Sequence, residues 1–345
     1  MSTTEPTRAE TRAPDRTATS VRGLSPSAAT ALAVAAGVVV AASVLVGSDL
    51  DAVRAIFDTA DPQHATITAR VERTLLALAV GAALGLAGAC MQGLTRNPLA
   101  DPGILGINAG ASFAMVLGIS YAGISSASQY IWFAFVGAAV AAVLVHAIAA
   151  LGRDGATPMK LAIAGAALTA AVTSWTSAIL IMDLKTMESF RYWQVGTVGG
   201  RGLDVLMVGL PFLVVGAVLA LTGARMLNTL ALGDDLARGL GRRTAVDRIV
   251  LGVAIVLLAG AATALCGPIA FVGLIVPHAV RSLAGSDYSR VLPLSAICGG
   301  LLTVAADTVG RVVLPPAEVQ VGVMTAVIGV PVFLALIRRG RMGGL

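Results

Sequence analysis

The chain has 345 residues, of which 57% are hydrophobic and only 12% charged, with a formal net charge of +5. Soluble domains carry about one charged residue in four, so this balance, with a mean hydropathy of +0.86, excludes an ordinary water-soluble globule and points to a polytopic membrane protein. Only helices and closed barrels satisfy their backbone hydrogen bonds in lipid, and continuous apolar runs without strict alternation select helices, so the expected fold class is all-α.

In chain order, residues 1–24 mix four arginines and three acids with many Thr and Ser, which predicts a disordered cytoplasmic tail. No A-x-A site closes the first apolar run, so that run reads as a retained span and not a cleaved signal. A ten-helix transmembrane domain is expected over 25–345, with spans near 28–47, 74–95, 106–123, 129–151, 160–183, 205–224, 249–267, 268–284, 292–312 and 319–337. The second span is the clearest: Thr74 to Met91 contains no charge, and roughly 20 apolar residues cross a hydrocarbon core of about 30 Å. Its polar flanks, Arg70–Thr74 and Asn97–Gly106, therefore lie on opposite sides. Gly81/Gly85 and Gly106/Gly110 have the small-xxx-small spacing that lets helices approach closely in lipid.

The 225–248 segment is the longest polar stretch between the later spans. Leu232, Leu236 and Leu240 are four residues apart, with Asp234, Asp235 and Arg238 elsewhere around the helix, which predicts a short amphipathic helix outside the membrane. A protein partner suits it better than headgroups, because Asp234 and Asp235 would sit poorly on an anionic leaflet. A weak repeat at an offset of 179 relates Gly81-Ala-Ala83, Leu86, Gly88 and Pro98 to Gly260-Ala-Ala262, Leu265, Gly267 and Pro277. The second and seventh spans would then run in opposite directions, an inverted-repeat-like organisation.

Orientation follows from the basic residues. With the N-terminus cytoplasmic, 17 of the 24 Lys and Arg fall on inner segments and seven on outer ones, so the positive-inside rule puts both termini in the cytoplasm of a multi-pass cell-membrane protein. The excess charge reports topology, and no nucleic-acid partner is expected.

Catalytic patterns are missing. His64, His146 and His278 are scattered, and there is neither H-E-x-x-H nor G-x-S-x-G with a membrane-embedded base. Cys90, Cys266 and Cys298 lack disulfide or metal spacing and read as small core residues, so no cofactor or metal is expected. Asp307, the clearest intramembrane acid, has Arg311 one turn away, a local i,i+4 pair. No P-loop exists, so the chain is not expected to hydrolyse ATP itself.

Five ordered motifs carry a family resemblance: R-x-x-R-T at Arg70–Thr74, N-P-L-A-x-P-x-x-L-G at Asn97–Gly106, L-N-x-L-x-L-G-D-x-x-A-x-x-L-G at Leu227–Gly241, G-P-I-A-F-V-G-L-I-V-P-H-x-x-R at Gly267–Arg281, and A-D-x-x-x-R at Ala306–Arg311. The chain resembles the transmembrane permease subunits of ATP-binding-cassette importers for iron-siderophores, haem and cobalamin. The resemblance implies two permeases of ten helices each (a homo- or heterodimer), two ATPase subunits, and an extracytoplasmic binding protein. By position, Arg70, Arg73 and Arg311 resemble the outer arginines that receive the binding protein's acids; Glu72 departs from the family's proline there and would weaken that contact. Asn97 and Leu99 resemble the cytoplasmic gate, an ordinary loop turn being the equal alternative. Leu232, Gly233, Asp234, Asp235, Leu236, Leu240 and Gly241 fall in the region that couples to the ATPase. The loop Arg153–Lys160 should oppose the gate, although Thr157-Pro158-Met159 departs from the usual small hydroxyl residues. Ferric siderophore is the expected substrate, with cobalamin or haem as alternatives; an ion-coupled secondary transporter is the rival from another class.

Overall fold

The computed structural model describes residues 26–46, 61, 63–151, 156–241 and 243–338. The expected N-terminal tail and residues 153–155 of the Arg153–Lys160 loop lie outside these. Among the described residues thirteen α-helices run in order: α1 Pro26–Leu45, α2 His64–Thr95, α3 Ile107–Ala122, α4 Ala127–Ala149, α5 Pro158–Met182, α6 Leu184–Gln194, α7 Leu203–Thr222, α8 Ala224–Ala231, α9 Asp234–Gly239, α10 Thr244–Cys266, α11 Val272–Ala284, α12 Tyr288–Val313 and α13 Val321–Arg338, with a 3-10 turn at Pro102–Leu105. Seven are long and apolar enough to cross a membrane. Three shorter apolar helices, α3, α11 and α13, complete a set of ten that matches the ten expected spans.

The bundle is organised around α2. At 32 residues it is about 48 Å long, and its buried run extends from Leu76 to Gly93. Glycine makes this possible. A Cβ on Gly81, Gly85 or Gly88 would lie 2.3, 2.1 or 1.9 Å from the carbonyl oxygens of Gly299, Ser295 and Gly273, respectively, so α12 and α11 touch α2 backbone to backbone. The other expected pair divides. Gly110 packs on Gly137, but Gly106 is the left-handed residue (φ 71°) that opens α3, with room around it.

Three local expectations are corrected. The eighth span was expected from residue 268, yet its helix begins at Val272. Gly267 and Phe271 both take positive φ, and Thr197 N–H donates to the Cys266 carbonyl, so 267–271 crosses the core as irregular backbone held by protein, the condition under which such backbone is tolerated at membrane depth. Residues 184–194 form an unforeseen helix, α6, started by Asp183, whose carboxylate accepts from the Lys185 and Thr186 N–H groups. The single amphipathic helix expected around Leu232–Leu240 is two helices, α8 and α9, broken at Gly233 (φ 107°), because α8 turns Leu227 and Leu230 into the core while Leu232 begins the exposed side.

Candidate functional site

The two ends of α2 carry different chemistry. At its first turns Arg70, Arg73 and Arg311 come together around a cavity of about 690 Å³ that also takes in Glu72, Arg201 and Glu318. Arg73 and Arg311 converge on Asp307, a carboxylate only 2% exposed on α12. Arg73 donates to Asp307 Oδ1 from Nη2 at 2.8 Å and from Nε at 3.1 Å, while Arg311 Nε lies 3.4 Å from Oδ2. The local pair expected from spacing is therefore a triad, and its closer partner comes from another helix. Arg73 also reaches Glu318 at 2.8 Å, and Arg311 Nη2 donates to the Ser43 carbonyl at 2.7 Å. Arg70 stands nearer the surface and donates to the Val44 carbonyl at 3.4 Å. Arg201 and Glu318 were not anticipated; the Pro315-Pro316 turn ahead of Glu318 was the only sequence cue.

At the far end of α2, Arg96 takes a left-handed conformation (φ 50°) and closes the helix. Asn97 then folds on itself, its Oδ1 accepting from the Leu99 N–H at 2.9 Å, and Asn97 and Leu99 are both exposed. Asp101 caps the following 3-10 turn through the Gly103 N–H at 2.8 Å. The α8–α9 corner lies alongside, because Asp234 bonds to Arg96 and, at 2.7 Å, to Arg248 of α10. Asn228 donates to Asp287 at 2.8 Å and accepts from the Tyr288 N–H, which ties α8 to the start of α12 and holds the Asp287 carboxyl below the usual carboxylate range. Leu232, Leu236 and Leu240 are 57%, 62% and 65% exposed. Asp235 pairs with Arg238 of its own turn at 3.7 Å, and Gly233 and Gly241 supply positive-φ corners. The asparagine–leucine turn and the three leucines thus occupy the same end of the bundle, opposite the arginine cluster.

Along the bundle between these ends, α5 is largely unburied. Thr169, Thr173, Ser174 and Ser177 line a groove of about 730 Å³ with Gly165 and Ala166. Hydroxyls at 169, 173 and 177 repeat every four residues, a stripe legible in the sequence but unread. Deeper in the core, Gln92 donates to the Gly273 and Leu274 carbonyls at 3.2 and 3.0 Å and receives a hydrogen bond from Arg281. This ties the core of α2 to the Gly267–Arg281 motif across the α2–α11 contact.

Comparison with known proteins gives a consistent picture. A profile of the FecCD transport family matches residues 25–339. The chain is 46% identical over 271 residues to the probable siderophore transport system permease protein YfiZ of Bacillus subtilis (strain 168), covering 79% of this chain and 81% of that one. It is 46% identical over 279 residues to the ferric enterobactin transport system permease protein FepD of Escherichia coli (strain K12), covering 81% and 83%. Among solved structures, an inward-facing conformation of a metal-chelate type ABC transporter superposes with a TM-score of 0.80 at 26% identity, over 91% of this chain and 100% of that one.

Proposed function

Because the chain belongs to the FecCD transport family, we propose that it is the permease subunit of an ATP-driven importer that carries ferric siderophores across the cell membrane, both termini cytoplasmic. Two ATPase subunits, a second permease and an extracytoplasmic binding protein complete the machine. The observation that carries this reading is a bundle with an arginine cluster at one end and an exposed three-leucine corner at the other. The siderophore and ferric enterobactin relatives, each at 46% identity, support the substrate class.

In this reading the arginine end faces outward and receives acidic side chains of the binding protein. Arg70 lines the same cavity and adds its charge there. Arg73 and Arg311 are already neutralised in part by buried Asp307, so a docking carboxylate reaches Arg73 by displacing Glu318, which is 48% exposed and free to swing away. Glu72 opposes docking. The hydroxyl stripe of α5 forms the pathway wall, because Thr and Ser hydroxyls turned to lipid would forfeit hydrogen bonds that water or a chelate restores. Asn97 and Leu99 close the inner end as a gate. The leucines of 225–248 seat in an ATPase groove, with Gly233 and Gly241 setting the corner and Asp234 anchoring it to α2 and α10.

The test is ATP hydrolysis by the reconstituted complex. Ferric-siderophore-loaded binding protein should stimulate it, and Arg70→Glu should weaken binding-protein affinity at low salt, since a like-charge pair across an interface costs several kcal/mol. Unchanged affinity in Arg70→Glu removes that arginine from the docking site, and no stimulation by any ferric siderophore refutes the substrate class.

A further inference from the structure

A separate cavity of about 440 Å³ opens near the α8–α9 corner, between the last turns of α2 and α4 and the first turns of α5 and α10. Its volume is within the roughly 300–1,000 Å³ of small-molecule sites. At its deep end is Phe135, packed against Phe212 with the rings tilted by 40° and their centroids 4.4 Å apart. Its polar side chains, Thr95, His146 and Arg248, gather at the other end. Phe135 and His146 are separated by about 16 Å of helix rise on α4, and Arg248 and Leu257 by about 14 Å on α10. The cavity is therefore a slot along the helix axes, apolar through its length and basic at its mouth.

Among the described residues, the ion pairs at the mouth leave one positive charge over. Asp234 divides its two carboxylate oxygens between Arg96 and Arg248, so these three groups carry one excess positive charge, and the Arg248 side chain is 29% exposed. A guanidinium has five N–H donors, leaving Arg248 able to serve a second acceptor. The slot opens between helix faces that are themselves apolar and exposed: Val143 is 67%, Ile249 55% and Val253 45% accessible.

We infer that this slot binds one anionic phospholipid, an acyl chain lying against Val143, Ile249 and Val253 and the phosphate oxygens accepting hydrogen bonds from Arg248 and His146. The shape fits a chain and the mouth fits an anion, at the level where α4 and α10 leave the membrane; basic pockets between membrane helices recognise anionic headgroups in this way. The phosphate shares Arg248 with Asp234, so lipid occupancy bears on the tie that holds α9 to α10.

The inference is tested by native mass spectrometry of the full-length protein in its detergent-purified assembly, offered equal amounts of phosphatidylglycerol and phosphatidylcholine with the same acyl chains. Wild type should retain phosphatidylglycerol about fivefold over phosphatidylcholine, the preference one basic residue confers near a membrane surface. Arg248→Gln should bring that ratio to about one. Gly252→Leu should reduce retention of both lipids: Gly252 lines the slot, an added Cβ meets nothing within 4 Å, and the change favours the helix, so folding is preserved. A wild type without preference, or an Arg248→Gln variant that keeps it, overturns the site. So does a Gly252→Leu variant that holds lipid normally but loses its oligomer, which would assign the slot to a second copy of the chain.

Discussion

Asp307 controls the arginine end of the molecule through two ion pairs on one carboxylate. Removing one partner of a buried pair leaves uncompensated charge and costs roughly 3–5 kcal/mol, whereas an exposed ion pair contributes about 0–1 kcal/mol. Asp307→Asn should therefore lower the detergent melting temperature far more than Glu318→Gln, and equal shifts would show that Asp307 is not the anchor. The same geometry makes Arg73→Glu a poor probe of docking, because it sets a third carboxylate beside Asp307 and Glu318. It should destabilise the protein. Half of this cluster was legible in the sequence: Arg311 stands one helical turn from Asp307, a local spacing. Arg73 lies 234 positions away, and only the close α2–α12 packing through Gly81 and Gly85 brings it there.

Among the elements, the long apolar helices were legible because each carries an uninterrupted run of membrane length, while the breaks were not. The 267–271 crossing is as apolar as a helix, and only the positive φ of Gly267 and Phe271 distinguishes it. The α8–α9 corner was misread as one helix because its leucines keep a four-residue spacing across Gly233. Helix contact gives a sharp contrast. Gly88→Ala drives a methyl into the Gly273 carbonyl, where only backbone can yield, and should abolish recovery of folded protein, whereas Gly252→Ala should melt like wild type; similar melting of the two would refute the backbone contact. At the corner, Leu236 is exposed and touches no core, so Leu236→Asp should leave size-exclusion behaviour in detergent unchanged. Yet it should abolish co-purification of the ATPase, since each seated leucine contributes roughly 1.5–3 kcal/mol and a buried unpaired charge is rejected. A variant that keeps its ATPase would make the corner a lipid-surface element.

For the whole molecule, the count of about ten apolar spans was legible in the sequence, because hydropathy is summed over many residues and tolerates local error. The proposed pathway wall was not legible, since the α5 stripe acquires meaning only when that helix proves unburied. Orientation has a direct check. Ser126 and Ser286 are both exposed and lie at opposite ends of the bundle. In a background lacking the three native cysteines, Ser126→Cys should react with an impermeant thiol reagent from outside, and Ser286→Cys only after the membrane is opened; the reverse pattern inverts the topology. The central claim is that this chain is a conduit powered by a partner. Uptake of radioactive ferric siderophore into proteoliposomes tests it most directly, comparing the chain alone, under imposed proton or sodium gradients, with the complex of permease, ATPase and binding protein supplied with ATP. The account predicts accumulation only in the full complex with ATP; accumulation by the chain alone, driven by an ion gradient, would contradict it.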